Sequence, residues 1–255
     1  MQVKAPIFAG QVRYPDDLPS CDQCPIRDRA ICAHCEADDL TRLEATKYYR
    51  RCEAGQVIAL MGEPMDFVAS VVDGVASLTQ TLEDGRTQMV GLLLPSDFLG
   101  RPGRDCAGYT VTAATSMQLC CFRRKPFEVM LACNPRLTTR LLEMTLDELD
   151  AAREWMLLLG RKTAREKIAS FLVILARRGA AVNFARPGQS LSLSLPLTRE
   201  AMADYLGLTL ETVSRQISAL RRDGVIRLSG NRDVDVPDYA RLLAESGGDR
   251  DSARA

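Results

Sequence analysis

The residues best suited to chemistry in this 255-residue chain are its nine cysteines. Four of them fall within fifteen positions, in Cys21-Asp-Gln-Cys24-Pro-Ile-Arg-Asp-Arg-Ala-Ile-Cys32-Ala-His-Cys35. Crowded thiols in a reducing compartment point to metal or redox chemistry rather than to a disulfide framework. Three chemistries fit. Two C-x-x-C pairs suit a tetrahedral zinc site of four thiolates. The same thiols suit a reversible disulfide switch. Three of them with one distant cysteine suit an iron–sulfur cluster. Cys52 and Cys133 read as small buried hydrophobes. His34 is the only histidine and reads as solvated, a thin basis for haem.

A second set of residues points to nucleic acid. Lysine plus arginine and aspartate plus glutamate each number 33, so the net charge is zero. Between Arg161 and Arg232, however, thirteen basic residues face five acidic ones, a local excess of eight. That is the electrostatic footprint of phosphate binding. Within it, Pro196 to Gly224 reads as a helix-turn-helix. Thr198 suits the cap of a first helix, with Ala201 and Leu206 inward. Gly207 suits a turn that needs a left-handed backbone. Thr209 suits the cap of a second helix, whose Val213, Ile217 and Leu220 recur at the helical period. Glu211, Thr212, Ser214, Arg215 and Ser218 are left outward. Near the start of a recognition helix such residues reach base edges. Arg215 suits guanine, and Glu211 suits a cytosine or adenine amino group.

These groups need a frame. Residues 1–36 read as an arm carrying the cysteine cluster, and Asp38 to Tyr49 as a short helix. Residues 37–133 form the first domain. From 53 to 126 short apolar stretches alternate with Gly, Asp and Pro. Asp73-Gly74 and Asp84-Gly85 are hairpin signals, so the spacing predicts an antiparallel sandwich or jelly roll. Residues 134–162 are helical, with apolar positions spaced by three to five. That gives roughly 25 residues, about 38 Å long. Its Leu141, Met144, Leu149, Ala152 and Met156 are the expected seam of a homodimer. Residues 163–246 hold a further helix, a half-buried strand with Leu191, Leu193 and Leu195, the helix-turn-helix, and a hairpin at Gly230-Asn231. The tail 247–255 reads as disordered. The apolar runs are too short to cross a bilayer and the N-terminus lacks a secretory pattern, so a cytoplasmic protein without membrane contact is expected. There is no G-x-S-x-G, no Walker loop and no H-E-x-x-H, so no enzyme is expected.

Sandwich, long helix and helix-turn-helix in this order resemble the CRP/FNR superfamily of bacterial regulators, over about residues 20–240. Leu208-Thr-Leu-Glu-Thr-Val-Ser-Arg215 is similar to the FNR branch, with its iron–sulfur oxygen sensors. The resemblance implies an α+β fold: a cyclic-nucleotide-binding-like β jelly roll, a long dimerisation helix and a C-terminal winged helix-turn-helix. It implies that Glu211, Ser214 and Arg215 read a TTGAT-N4-ATCAA-like palindrome in double-stranded DNA, with Thr209 and Thr212 beside them. It implies a 4Fe-4S cluster held by Cys21, Cys24, Cys32 and a cysteine of the sandwich. Aligning Cys-Phe-Arg-Arg-Lys-Pro-Phe with the family's last sandwich strand puts Cys120 in that position, ahead of Cys106. Cys121 is expected on the opposite face of the strand. Cys35 departs from the simplest pattern, as a spare thiol or a replacement for Cys32. The resemblance further implies that oxygen converts the cluster to 2Fe-2S and dissolves the dimer, and that RNA polymerase is a partner. The stretch Phe98 to Cys106 lacks the family's Arg-Ser pair for cyclic AMP, so no cyclic nucleotide is expected. Zinc binding or a thiol switch on the same fold is the alternative.

Overall fold

The computed structural model describes residues 20–179, 190–230 and 232–248. The part of the expected arm before Ser20, residues 180–189 and the expected tail beyond Gly248 lie outside the described residues. The chain divides into two compact units, and the division falls after Ala151, inside the long helix.

The first unit is a roll of two four-stranded sheets. After a short 3-10 turn at Cys21–Gln23 comes helix α1 (Ala37–Thr46), then the strands β1 (Lys47–Cys52), β2 (Val57–Ala59), β3 (Phe67–Asp73), β4 (Ala76–Thr81), β5 (Thr87–Leu93), β6 (Phe98–Leu99), β7 (Thr110–Ala113) and β8 (Met117–Arg123). One sheet has the order β1-β8-β3-β6 and the other β2-β7-β4-β5, with every pairing antiparallel. Side chains alternate across a strand, and β3 and β8 use both faces. Ala69, Val71, Leu119 and Cys121 fill the space between the sheets, while Val68, Val72, Cys120 and Phe122 face outward under a second apolar layer. Gly74 is required where β3 turns into β4. Its φ is 83°, and a Cβ there would lie 2.4 Å from Cβ of Met117.

Three elements differ from the sequence expectation. The helix read as Asp38 to Tyr49 stops at Thr46, and Lys47 onward is β1. All six residues of β1 pair with β8, from Lys47↔Phe122 to Cys52↔Met117, so sheet pairing overrides the local helical spacing. The two-residue β6 was too short to register. Helix α2 (Arg124–Cys133) occupies what read as the end of the sandwich. Its Pro126 sits in the first turn, where the missing N–H breaks no helical bond, and its Phe127 is wholly buried against Phe98 and Phe122.

Helix α3 (Pro135–Arg161) matches the long helix expected from the spacing. Asn134 caps it, its Oδ1 accepting from the N–H groups of Arg136 (3.0 Å) and Leu137 (3.2 Å). The second unit continues with α4 (Ala164–Gly179), β9 (Leu191–Ser194), α5 (Arg199–Leu206), α6 (Leu210–Arg222), β10 (Arg227–Ser229), β11 (Asp233–Val236) and α7 (Tyr239–Glu245). The three strands form a sheet in the order β10-β11-β9. The hairpin expected at Gly230-Asn231 joins β10 to β11, with Asn231 itself outside the described residues. Among the described residues no helix is long and apolar enough to cross a membrane.

Candidate metal centre and nucleic-acid interface

The outer face of the sheet β1-β8-β3 carries a second core. Cys21, Cys35, Ile26, Ala30 and Ile31 from the cysteine loop, Leu40 and Leu43 from α1, Phe127 from α2 and Leu137 from α3 are buried there with Cys120. Cys24, Cys32, Leu141 and Met144 are half-buried against the same layer. The structure therefore brings Cys21, Cys24, Cys32, Cys35 and Cys120 together. It separates the two rivals for the sandwich ligand. Cys121 points into the inner core, wholly buried, and Cys106 is exposed beyond β6. Cys52 is buried as expected, but Cys133 is not the buried hydrophobe expected of it. It is exposed at the last position of α2, where the helix turns it away from Phe127.

The loop is closed by its own backbone. N–H groups of Arg27, Ala30, Ala33 and Cys35 donate to the carbonyls of Cys24, Ile26, Ala30 and Cys32 at 2.9–3.0 Å. The guanidinium of Arg27 then spans it, donating to the carbonyls of Cys32 (2.6 Å), Ala33 (3.0 Å) and Cys35 (2.7 Å). From β1, Lys47 Nζ donates to the sulfur of Cys21 at 3.4 Å. From α3, Arg140 donates to the carbonyls of Arg29 (2.5 Å) and Ala30 (3.3 Å), and Arg136 pairs with Glu36 at 2.5 Å. His34 is the largely solvated side chain expected, 3.6 Å from Glu143. Arg27, Lys47 and Arg140 were not singled out by sequence reasoning. Only Arg27, inside the cysteine loop, lay where a positional signal existed.

Burial pushes every thiol of the layer up, Cys32 and Cys35 to about 11. For Cys120 the neighbouring thiols Cys24, Cys21 and Cys32 raise it further, against Lys47. For Cys35 the carboxylate of Asp39 on α1 raises it further after burial, against Arg27 and Arg136. Five soft sulfur donors with a lysine and an arginine beside them are the right kind of site for a thiolate-bound metal, because a bound cation would ionise thiols that burial holds protonated. As they lie, among the described residues no three Cys, His, Asp or Glu groups are drawn together to hold a metal ion.

The second constellation lies on α5 and α6. The side chain of Thr198 accepts from the N–H of Ala201 (3.1 Å), and that of Thr209 from the N–H of Thr212 (3.2 Å). Between the helices Gly207 takes φ 62° and ψ 45°, as the turn expectation requires. Leu206 is buried, but the inward partner on α5 is Met202, with Ala201 only half-buried. Val213, Ile217 and Leu220 are buried, and Glu211, Ser214, Arg215 and Ser218 are exposed on the other face. Thr209 and Thr212 also share a hydroxyl contact of 3.1 Å, so both threonines are engaged in the cap. Trp155, near the end of α3, stacks on Tyr205 of α5 with ring centres 3.9 Å apart. Arg165 of α4 pairs with Asp223 (2.8 Å) and Glu245 (2.6 Å), tying the ends of α6 and α7 to α4. A groove of about 820 Å³ between α5, α6 and the β10–β11 hairpin is lined by Arg199, Arg221 and Arg232. Guanidinium groups so placed suit phosphate.

Of the expected seam residues, Leu149, Ala152 and Met156 are exposed. Leu141 and Met144 are turned toward the cysteine layer instead. Leu142 and Leu146, exposed by 58% and 52%, continue the apolar stripe of α3 in their place.

A helix-turn-helix with a β-hairpin beside it, following a β roll and a long helix, defines a DNA-binding regulator rather than an enzyme. The sequence profile of the Crp-like helix-turn-helix domain matches residues 166–245, and that of the cyclic nucleotide-binding domain matches residues 49–134. The transcriptional activator protein FnrL of Cereibacter sphaeroides is 65% identical over 237 residues, covering 93% of this chain and 96% of its own length. The nitrogen fixation regulation protein FixK of Bradyrhizobium diazoefficiens is 36% identical, over 88% of this chain and 92% of its own. The solved structure of FixK2 from Bradyrhizobium japonicum superposes with a TM-score of 0.69 at 33% identity, covering 78% of this chain and 96% of that one. The chain belongs to the CRP/FNR family of transcription regulators.

Proposed function

We propose that the chain is an oxygen-responsive transcriptional activator of the FNR type, active as a homodimer that carries an iron–sulfur cluster. The observation that carries this reading is the gathering of Cys21, Cys24 and Cys32 against Cys120 in one buried layer. The cluster, a 4Fe-4S group when bound, would supply redox chemistry with oxygen at thiolate-held iron. The protein's own residues do the rest. Arg27 keeps the loop closed. Lys47 sets a positive charge beside Cys21. Arg136 and Arg140 fasten the loop to α3, so a change in the loop is felt by that helix.

Dimerisation would use Leu142, Leu146, Leu149, Ala152 and Met156, which are exposed on α3. Two copies of α6 would then meet half-sites about 34 Å apart, with Glu211, Ser214 and Arg215 reading a TTGAT-N4-ATCAA-like palindrome. Activation would be exerted on RNA polymerase in the cytoplasm. The inner face of the roll, filled by Ile58, Phe67, Val71, Leu99 and Leu119, supports a reading without a cyclic nucleotide.

Anaerobic purification with iron and sulfide analysis, and DNA binding measured before and after air, is the test. A brown protein that loses both its colour and its grip on DNA in air is expected. A colourless protein with stoichiometric zinc overturns the cluster. Arg215→Ala is expected to relax specificity at one guanine by about 1–3 kcal/mol; an unchanged base preference removes Arg215 from the reading set.

A further inference from the structure

Ser70 lies at the middle of β3, 2% exposed, and its hydroxyl has no hydrogen-bond partner. Buried hydroxyls are rarely left so, and one that is calls for an explanation. Two observations fix which way it faces. Its neighbours Ala69 and Val71 belong to the inner core, and Val68 and Val72 to the cysteine layer. By the alternation of a strand Ser70 shares the face of Val68 and Val72. In the pairing of β3 with β8, Ser70 stands directly opposite Cys120. Paired residues on one face of a sheet have Cβ atoms about 4.5–5.5 Å apart. The orphaned hydroxyl is therefore the cross-strand neighbour of Cys120, within the layer that holds Cys21, Cys24 and Cys32. Gln118 Nε2, a second orphan and the one on β8, is on this same face, two residues along from Cys120. Ser96, the third such group, belongs to the turn before β6.

A neutral thiol is a poor acceptor, and in that state the hydroxyl has nothing worth turning to. A thiolate bound to metal keeps lone pairs on sulfur and accepts strongly. We propose that Ser70 is a positioning residue of the metal centre, donating its hydroxyl proton to the sulfur of Cys120 once that sulfur is ionised by metal. The inference rests on the reading of the cysteine layer as an iron–sulfur site. It adds that the fold holds a polar group whose partner arrives with the metal. Hydrogen bonds to ligand sulfurs both hold the ligand and tune the potential of the centre.

The test compares the full chain with Ser70→Ala and Ser70→Thr, each loaded anaerobically with ferrous iron and sulfide. Two quantities are measured: the rate at which a ferrous chelator strips the iron, and the thermal midpoint of the reduced, metal-free protein. Losing one outer partner of a metal ligand lowers retention about 10–100-fold. Ser70→Ala is thus expected to lose iron about 10–100-fold faster, and Ser70→Thr, which keeps the hydroxyl, to restore retention. The metal-free Ser70→Ala protein is expected to melt at or above the unsubstituted chain, since it sheds an unpartnered buried hydroxyl. Equal stripping rates in all three proteins overturn the role of Ser70 while leaving the cluster in place. A metal-free Ser70→Ala protein that melts below the unsubstituted chain overturns it in favour of a packing role. An unsubstituted chain that takes up no iron overturns it together with the reading beneath.

Discussion

Arg27→Ala should open the cysteine loop without unfolding the roll. The guanidinium donates to three carbonyls in the span Cys32 to Cys35, all part-buried. A hydrogen bond with one charged partner contributes about 1.5–3 kcal/mol when buried, and about 1 kcal/mol is reasonable where water can replace the lost donor. Three such bonds give about 3 kcal/mol. At about 1.4 kcal/mol per factor of ten, the closed loop loses about 100-fold of its advantage over the open one. The amides of Ala33 and Cys35, which donate to the carbonyls of Ala30 and Cys32, report this directly. Hydrogen exchange on the reduced, metal-free full chain should show their protection falling by about 100-fold. Amides of β3 and β8 should be unchanged. Arg27→Lys should lie between the two, because an ammonium cannot match the planar fork. Protection at Ala33 and Cys35 within about threefold of the unsubstituted chain would refute the view that Arg27 holds the loop.

Three further outcomes can be checked. Gly207→Ala meets only Leu159 Cδ2 at 3.9 Å, so its penalty is backbone alone, about 1–2 kcal/mol for a left-handed residue; Gly207→Asn should recover part of it in thermal melts, and equal melts for Gly and Ala would contradict the assignment. Leu146→Glu should shift the anaerobic, iron-loaded protein toward monomer in sedimentation, whereas Met144→Glu should first disturb the cysteine layer; identical effects would refute the revised stripe. Arg165 holds the Glu245 carboxyl below its usual range. A depressed carboxylate adds stability that is fully present above its unfolded value near pH 4.3 and is lost as pH falls through the folded value. Glu245→Gln should therefore lower the melting temperature at pH 7 and flatten its fall below about pH 4.5, and an unchanged acid limb would sink the linkage.

The helix-turn-helix was legible nearly residue by residue because its signals are local: Thr198 and Thr209 as caps, Gly207 in the turn, Val213, Ile217 and Leu220 at the helical period. The long helix was equally plain from its spacing. β1 was not, since Lys47 to Cys52 carries three basic side chains and becomes a strand only through its partner β8. α2 was hidden by Pro126, which reads as a breaker unless the helix is known to begin just before it. In the candidate centre the four loop cysteines announced themselves, but Arg27, Lys47 and Arg140 act through partners up to 111 positions away. Leu141 and Met144 show the limit of periodicity. It finds the apolar side of α3, and only the fold tells which apolar residues lie against the loop and which remain exposed.

The adjacency of Cys120 and Cys121 has a consequence for the order in which this protein is made. The two differ by one position and face opposite sides of β8, so register alone decides which thiol meets the loop. A slip of β8 by one residue would exchange them and turn the strand's apolar set inside out. Cys21, Cys24 and Cys32 are close in sequence and, in the proposed reading, would take up metal early. On that reading their fourth partner, Cys120, would become a ligand only after β8 has paired between β1 and β3, a slow, non-local step. In the proposed reading, a complete centre certifies a correctly registered sheet, and maturation of the metal site doubles as a check on folding.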